Sequence, residues 1–127
     1  MALGGRAILL AGPSGSGKSS LALEMMAAGA GLVADDMVAL FVRDGLRARA
    51  PEGLPAAIEA RGLGLIPATL VPDAPVIAAC DMTQRSTTRM PHPQTISLLG
   101  QPIPLLHRPA SGPVASMLVQ YLKAAPR

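Results

Sequence analysis

Residues 12–19 constrain the fold of this chain more than any other stretch. They fit the pattern G-x-x-x-x-G-K-[ST] at every fixed position, which is the pattern of the phosphate-binding P-loop. Residues 6–11 before it predict a buried strand, and residues 20–28 after it predict a helix that ends at Gly29. Strand, loop and helix in this order are the context that the motif requires. The alternative is a glycine-rich turn without a ligand.

The residue types of such a loop determine what it binds. Glycines let the backbone turn tightly, so that its N–H groups approach phosphate oxygens without an intervening Cβ. The N-terminus of the next helix favours the same negative charge. Lys18 is expected to contact the β- and γ-phosphates, and the Ser19 hydroxyl to bind Mg²⁺. A nucleoside triphosphate with Mg²⁺ is therefore the predicted ligand, and the predicted nucleotide-binding residues are Gly12, Pro13, Ser14, Gly15, Ser16, Gly17, Lys18 and Ser19.

Length and composition indicate a single domain over residues 1–127. Half of the residues are apolar but only 2% are aromatic, so the core must consist of aliphatic side chains and methionine. The one cysteine, Cys80, lies in an apolar stretch, which predicts a buried structural thiol. A single cysteine excludes an internal disulfide framework and suits a reducing compartment. A net charge of +3 without a basic run or stacking aromatics argues against nucleic acid. No apolar run is long enough for a membrane span, and no signal peptide is apparent.

The remainder of the chain predicts more strands than helices. An Asp44-Gly45 turn should join two strands in a hairpin. The predicted strands are 31–34, 37–42, 46–50, 75–81, 95–100 and 103–107, with a further extended piece leading to Pro67. The less regular pieces are a helical turn at 56–60 and a polar loop or strand edge at 82–94.

A helix is expected over residues 113–124, with Val114, Met117, Leu118 and Tyr121 on one face. The fold class predicted from these elements is α/β, with a P-loop-containing mixed β-sheet core, a P-loop helix and a C-terminal helix.

Carboxylates that follow predicted strands are the candidates for catalysis. Asp35 and Asp36 come directly after strand 31–34, whose end should lie at the same sheet edge as the P-loop. There they can hold Mg²⁺ or accept a proton from a hydroxyl group, unless they are only a charged strand terminus. Glu59 is retained as a candidate, and Asp81, in a Walker-B-like pattern, ranks below the pair. The acidic residues expected to be solvated or to point away are Glu24, Asp44, Glu52 and Asp73, and neither His92 nor His107 has a partner at zinc-ligand spacing.

Three stretches together resemble the C-terminal kinase domain of the HPr kinase/phosphorylase family. They are residues 12–19, Leu32-Val33-Ala34-Asp35-Asp36 and Glu59-Ala60-Arg61-Gly62-Leu63-Gly64-Leu65. The first two match in order and spacing, and the third resembles the family signature E-[IVA]-R-G-L-G-[IL], with Arg61, Gly62 and Gly64 in it. The second half of the chain fits more loosely. The chain is most similar to short members with a kinase domain only.

The resemblance implies a bacterial cytoplasmic serine kinase. It would transfer phosphate from ATP to HPr, the small phosphocarrier protein of the sugar phosphotransferase system. It also implies phosphorolysis of the phosphoserine with release of pyrophosphate, and assembly as a homo-oligomer, which is a hexamer in longer members. By motif position, Asp36 would take the serine proton with support from Asp35, and Lys18 would neutralise the phosphates. Ser19 and Glu59 would bind Mg²⁺.

The sequence departs from the family pattern at two places. The family has a histidine on a strand upstream of the P-loop, whereas the eleven residues before Gly12 contain none. A start further upstream, a truncation and the loss of that role are the open explanations. A second family stretch, R-P-G-R-N, stands here as Arg108-Pro109-Ala110-Ser111-Gly112. The missing second arginine bears on phosphorolysis in particular.

Two other functions fit parts of the sequence. A small-metabolite P-loop kinase would need an arginine-rich lid, and Arg85 and Arg89 fit that description, although 127 residues leave little room for a lid and a separate pocket. A nucleotide-binding regulatory module without catalysis would fit the missing histidine.

Overall fold

The longest strand, β7 (Ala74–Ser86), lies at the centre of the fold. The computed structural model of the chain describes residues 1–124, so the last three residues of the expected domain 1–127 lie outside the described residues. The other elements are β1 (Ala2–Leu3), β2 (Arg6–Ala11), α1 (Lys18–Ala27), β3 (Ala39–Val42), β4 (Leu46–Arg49), β5 (Ala57–Ala60), β6 (Gly64–Pro67), β8 (Gln94–Leu98), β9 (Gln101–Pro109) and α2 (Val114–Ala124).

Three strands pair directly with β7 and define the sheet. β2 and β9 run parallel to it, whereas β4 runs antiparallel. β1, β3 and β8 extend this arrangement to a seven-stranded mixed sheet, and β5 and β6 form a separate two-stranded sheet. Because β2, β7 and β9 share one direction, their carboxyl ends meet at one edge, the usual ligand-binding edge of α/β sheets. The predicted fold class, α/β with a mixed sheet and a C-terminal helix, is confirmed.

Both helices contribute to the same apolar cluster. Residues Leu21, Ala22 and Met25 of α1 pack there together with Ile8 and Cys80 of the sheet. The buried side chains of α2 are Val114, Ala115, Leu118, Val119 and Leu122. Within residues 1–124, no helix has the length and apolarity needed to cross a bilayer.

The predicted apolar face of α2 was partly wrong. Met117 is 43% exposed. The buried side chains of α2 form a stripe along one side of the helix, and Met117 lies next to this stripe. Tyr121 is half-buried at its border and packs against the cluster. Val114 and Leu118 are buried as expected.

Local turn signals predicted the hairpins well. β3 and β4 pair antiparallel around the turn at Asp44 and Gly45, both of which have positive φ. β8 and β9 form a second antiparallel pair, as expected for residues 95–107. β2 coincides with the predicted strand 6–11. These elements depend mainly on neighbouring residues, which explains their agreement with the sequence patterns.

Two short apolar segments were predicted wrongly. Residues 56–60 are not a helical turn, because Ala57–Ala60 pairs with Gly64–Pro67 as a strand and buries Ile58 completely. Residues 31–34 are not a regular strand. They form only isolated bridges, one between Ala2 and Gly31 and one between Leu32 and Leu70.

The central strand extends further than its sequence indicates. The predicted boundary between strand 75–81 and the loop or strand edge 82–94 is misplaced, because β7 continues to Ser86. Pairing with β9 as far as Pro109 holds this polar continuation in the sheet. Cys80 within it is fully buried, and burial raises the pKa of its thiol to about 11. The buried structural thiol is confirmed.

Asp73 was wrongly expected to be a solvated turn residue. Its Oδ1 accepts a hydrogen bond from Arg47 Nε at 2.9 Å, also contacts Arg47 Nη2, and lies 3.5 Å from Arg43 Nη2. The hydrogen bond from Arg47, followed by the charges of the neighbouring arginines, holds the pKa of the Asp73 carboxyl below its usual range. The ion pair therefore links hairpin β3–β4 to the segment that enters β7.

Replacement of Asp73 by asparagine should reduce stability in a pH-dependent way. A carboxyl whose pKa is lowered by folding contributes stability above its unfolded-state pKa and loses that contribution as the pH falls through its folded-state pKa. We expect a decrease in melting temperature of about 2–5 °C at pH 7, which disappears once the pH falls below the lowered pKa of the Asp73 carboxyl. Thermal unfolding from pH 2 to 7 measures this, with Glu52→Gln as an exposed control. Parallel curves for both variants would contradict it.

Candidate functional site

Residues 12–19, hereafter the glycine-rich loop, connect β2 to α1 at the carboxyl edge of the sheet. The helix begins at Lys18 with Gly17 as its N-cap, in a left-handed conformation with φ of 94°. No side chain caps this end, and its first turn contains no acidic residue. The N–H groups at the start of α1 thus lack a side-chain acceptor, and the helix dipole makes this end attractive to an anion.

Two positions in the loop require glycine because of their surroundings. A Cβ at Gly12 would lie 2.7 Å from Ser16 Oγ and 3.3 Å from Met82 Cβ. A Cβ at Gly17 would lie 3.1 Å from Arg108 Nη1, in addition to the strain of its positive φ. The tight loop therefore depends on its own sequence and on side chains that β7 and β9 bring alongside it.

Asp35 connects the glycine-rich loop to the β5–β6 hairpin. Its Oδ1 accepts a hydrogen bond from Ser19 Oγ at 2.9 Å. Its Oδ2 accepts one from the backbone N–H of Glu59, also at 2.9 Å. Because the Ser19 proton points at Asp35, the hydroxyl lone pairs are available to a cation.

Asp36 adopts an unusual backbone conformation beside Lys18. Its φ is 62°, a left-handed value that, apart from glycine, mainly asparagine and aspartate adopt. Lys18 Nζ lies 3.8 Å from Asp36 Oδ1, and the side chains are 20% and 76% exposed, respectively. Asp36 thus presents an accessible carboxylate next to the cation at the start of α1.

These residues border one open cleft of about 490 Å³, which lies within the usual range for ligand sites. The glycine-rich loop forms one wall, Asp35 and Asp36 the second, and the start of the β5–β6 hairpin the third. The lining residues are Ser14, Gly15, Gly17, Lys18, Ser19, Ser20, Leu23, Asp35, Asp36, Glu59, Ala60 and Arg61. Sequence-predicted candidates from three separate stretches therefore meet in one place.

The donor atoms in the cleft suit Mg²⁺. The Ser19 hydroxyl and the carboxylates of Asp35 and Glu59 are hard oxygen donors, which this ion prefers. In residues 1–124, no three histidine, cysteine, aspartate or glutamate side chains are grouped closely enough to hold a metal ion by themselves. A magnesium ion would therefore need phosphate oxygens or water in addition, as is common for nucleotide-bound Mg²⁺.

Asp81 does not line the cleft. Its Oδ1 accepts hydrogen bonds from the backbone N–H of Thr83 at 2.9 Å and from Thr83 Oγ1 at 2.6 Å. These bonds, with a smaller contribution from the charge of His107, hold the pKa of the Asp81 carboxyl below its usual range. Neither His107 nor His92 lines the cleft. Gly62 and Gly64 have positive φ and shape the hairpin without lining the cleft.

The resemblance of residues 108–112 to the family stretch R-P-G-R-N connected Arg108 with phosphorolysis, but no turn or periodicity pattern indicated that it is a neighbour of the loop. Its guanidinium lies close to Gly17 because β9 pairs in parallel with β7. Only that non-local pairing, which no turn or periodicity signal encodes, could have indicated it.

Comparison with known protein families identifies the chain's relatives. The family described as HPr Serine kinase C-terminal domain matches residues 1–71. The chain belongs to this family. The matched segment contains the glycine-rich loop, Asp35, Asp36 and the β5–β6 hairpin, which are the three walls of the cleft.

Individual members of the HPr serine kinase family match about half of the chain. The HPr kinase/phosphorylase of Leptothrix cholodnii is 48% identical over 64 residues, and that of Burkholderia cenocepacia is 51% identical over 65 residues. Each match covers 49% of this chain and 20% of the relative. The chain thus corresponds to about a fifth of each relative's length.

The fold is shared over a longer stretch. The structure of the HPr(Ser) kinase/phosphatase from Coxiella burnetii superimposes with a TM-score of 0.72, over 91% of this chain and 84% of that one. Sequence identity across this superposition is 23%, so the similarity is one of fold. It includes most of the residues beyond 71 that the family match does not reach.

Proposed function

We propose that this chain binds ATP with Mg²⁺ and transfers the γ-phosphate to a serine of an HPr phosphocarrier protein in the bacterial cytoplasm. The observation that carries the proposal is the 3.8 Å contact of Lys18 with Asp36, in the cleft that Ser19 and Asp35 also line. This contact joins a phosphate-binding cation to an accessible carboxylate that can accept a proton. Membership of the HPr serine kinase family supports HPr as the protein substrate.

The loop and Lys18 would bind the phosphates. Because Lys18 lies beside Asp36, a triphosphate would compete with Asp36 for the ammonium group. The carboxylate released in this way can accept the proton of a serine hydroxyl as its oxygen attacks the γ-phosphorus. Asp36 is therefore proposed as the catalytic base, with Asp35 in support.

The Ser19 hydroxyl and the Glu59 carboxylate would hold Mg²⁺, which would supply positive charge to the phosphates. Asp35 supports this arrangement from both sides, since it accepts hydrogen bonds from Ser19 Oγ and from the Glu59 backbone. The hydrogen bonds fix the hydroxyl and the strand relative to each other before any ligand is bound.

Phosphorolysis uses the same residues in reverse. Inorganic phosphate bound at the loop would attack the phosphorus of phosphoserine, the bond from that phosphorus to the serine oxygen would break, and Asp36 would pass the proton of the attacking phosphate to the serine oxygen. Pyrophosphate and HPr are then the products.

Assembly of a homo-oligomer, with a hexamer expected from the resemblance, remains a prediction for sedimentation analysis.

Incubation with γ-labelled ATP, Mg²⁺ and purified HPr tests the proposal. We expect label on a serine of HPr, no label in the presence of a magnesium chelator, and pyrophosphate when phosphorylated HPr is given inorganic phosphate. Label on a small metabolite instead would support a metabolite kinase. Nucleotide binding without any labelled product would support a regulatory module.

A further inference from the structure

Arg61 faces the cleft without an ionic partner. It follows β5 directly, is exposed, and lines the cleft opposite the glycine-rich loop. In the described part of the chain, residues 1–124, no carboxylate lies within ion-pair distance of its guanidinium. Lys18, the other cation that lines the cleft, already contacts Asp36.

The backbone around Arg61 is fixed by contacts on both sides. Ile58 is completely buried, and the next residue, Glu59, donates its backbone N–H to Asp35. After Arg61, a hydrogen bond of 3.0 Å from Leu63 N to Ala60 O closes a tight turn. Gly62, with φ of 91°, takes the left-handed position that such a turn requires. Arg61 therefore has a defined place relative to the carboxylate that also holds Ser19.

The charges in the cleft show why a second cation matters. Three carboxylates line it, those of Asp35, Asp36 and Glu59, against the two cations Lys18 and Arg61. A transferring phosphoryl group spreads negative charge over three oxygens, and a planar guanidinium matches pairs of such oxygens. The Lys18 ammonium is a compact point charge, so it cannot match two of those oxygens at once as a guanidinium does.

We propose that Arg61 donates hydrogen bonds to the oxygens of the phosphoryl group during transfer, an inference that rests on the proposed kinase function. In this step the serine oxygen forms a bond to the γ-phosphorus while the bond between that phosphorus and the β–γ bridging oxygen breaks. The electron pair leaves with ADP, and the serine proton goes to Asp36. Arg61 remains protonated throughout and stabilises charge, so it is a catalytic residue that exchanges no proton.

Binding of a transition-state mimic tests this role without a protein substrate. Affinities for MgADP, and for MgADP with aluminium fluoride, are measured by calorimetry for the native chain, Arg61→Gln, Arg61→Lys and Arg89→Gln. The last removes an exposed arginine that does not line the cleft. We expect Arg61→Gln to bind MgADP within about twofold of the native chain and the mimic about 100-fold more weakly. Arg61→Lys should fall between them, and Arg89→Gln should match the native chain.

Three results would overturn the role of Arg61. The first is an equal loss of affinity for MgADP and for the mimic in Arg61→Gln, which would indicate a structural role in the turn. The second is an unchanged affinity of Arg61→Gln for the mimic. The third is a native chain that binds the mimic no more tightly than MgADP. The HPr labelling assay is separate. Suppose that the native chain does not label HPr, while Arg61→Gln still weakens binding of the mimic and not of MgADP. The proposed transfer to HPr then fails, and the role of Arg61 in phosphoryl transfer stands.

Discussion

Replacement of Asp36 by asparagine is expected to lower the rate of phosphoryl transfer to HPr by about 10²–10⁴-fold. The amide has nearly the same shape and also tolerates a positive φ, so the backbone at this position should be preserved. It cannot take the serine proton, however. Affinity for MgATP should be retained or slightly increased, because Lys18 no longer has the carboxylate 3.8 Å from its Nζ as a competitor for the phosphates. Single-turnover transfer and calorimetric titration measure the two effects.

Asp44→Asn is a closely matched control for this experiment. Asp44 also has a positive φ, of 54°, but occupies an exposed hairpin turn and does not line the cleft. Both its transfer rate and its nucleotide affinity should equal those of the native chain. If Asp36→Asn kept its transfer rate, the role of proton acceptor would move to Asp35, the neighbouring carboxylate in the cleft.

Replacement of Lys18 by methionine should have the largest effect on nucleotide binding. Methionine retains much of the side-chain length and removes the charge. We expect MgATP affinity to fall by about 10- to 100-fold, because a charged hydrogen-bond donor to phosphate is lost and Asp36 stays unneutralised near the phosphates. Calorimetry with MgATP measures the effect. The melting temperature of the ligand-free variant should remain close to that of the native chain, since Lys18 is the first residue of α1 and is not among the buried residues of the core.

Lys123→Met provides the comparison for Lys18→Met. Lys123 lies in the last turn of α2, is exposed, and carries the same charge. Its replacement should leave MgATP affinity unchanged. Equal affinities for MgATP in Lys18→Met and in the native chain would show that the loop does not bind the phosphates through Lys18.

The part of the site that sequence predicted best is the part that depends on neighbouring residues. Glycines at fixed spacing between an apolar strand and a helix specify their own turn, and the structure has β2, the loop and α1 in that order. The proximity of Asp35 and Asp36 to this loop was also expected, but the expectation rested on a regular strand over residues 31–34. The predicted strand 31–34 is absent as a regular strand, and single bridges at Gly31 and Leu32 hold the segment in place.

The elements that were predicted wrongly are those whose structure depends on pairing with distant strands. Alanine-rich residues 56–60 favour a helical turn locally, but pairing with Gly64–Pro67 makes them a strand. Polar residues after Asp81 suggest a loop, yet β9 keeps them in the sheet as far as Ser86. The same pairing brings Arg108 to Gly17, and no local pattern encodes it.

The uncapped start of α1 has a thermodynamic consequence. A serine or aspartate at the position of Gly17 would stabilise the helix by roughly a few tenths of a kcal/mol relative to glycine, but the left-handed backbone and the nearby Arg108 Nη1 disfavour a side chain there. A bound phosphate would therefore act as the missing cap, satisfying N–H groups that the chain leaves open. Part of the ligand's binding free energy would then appear as folding free energy, so that the substrate completes the helix that holds it.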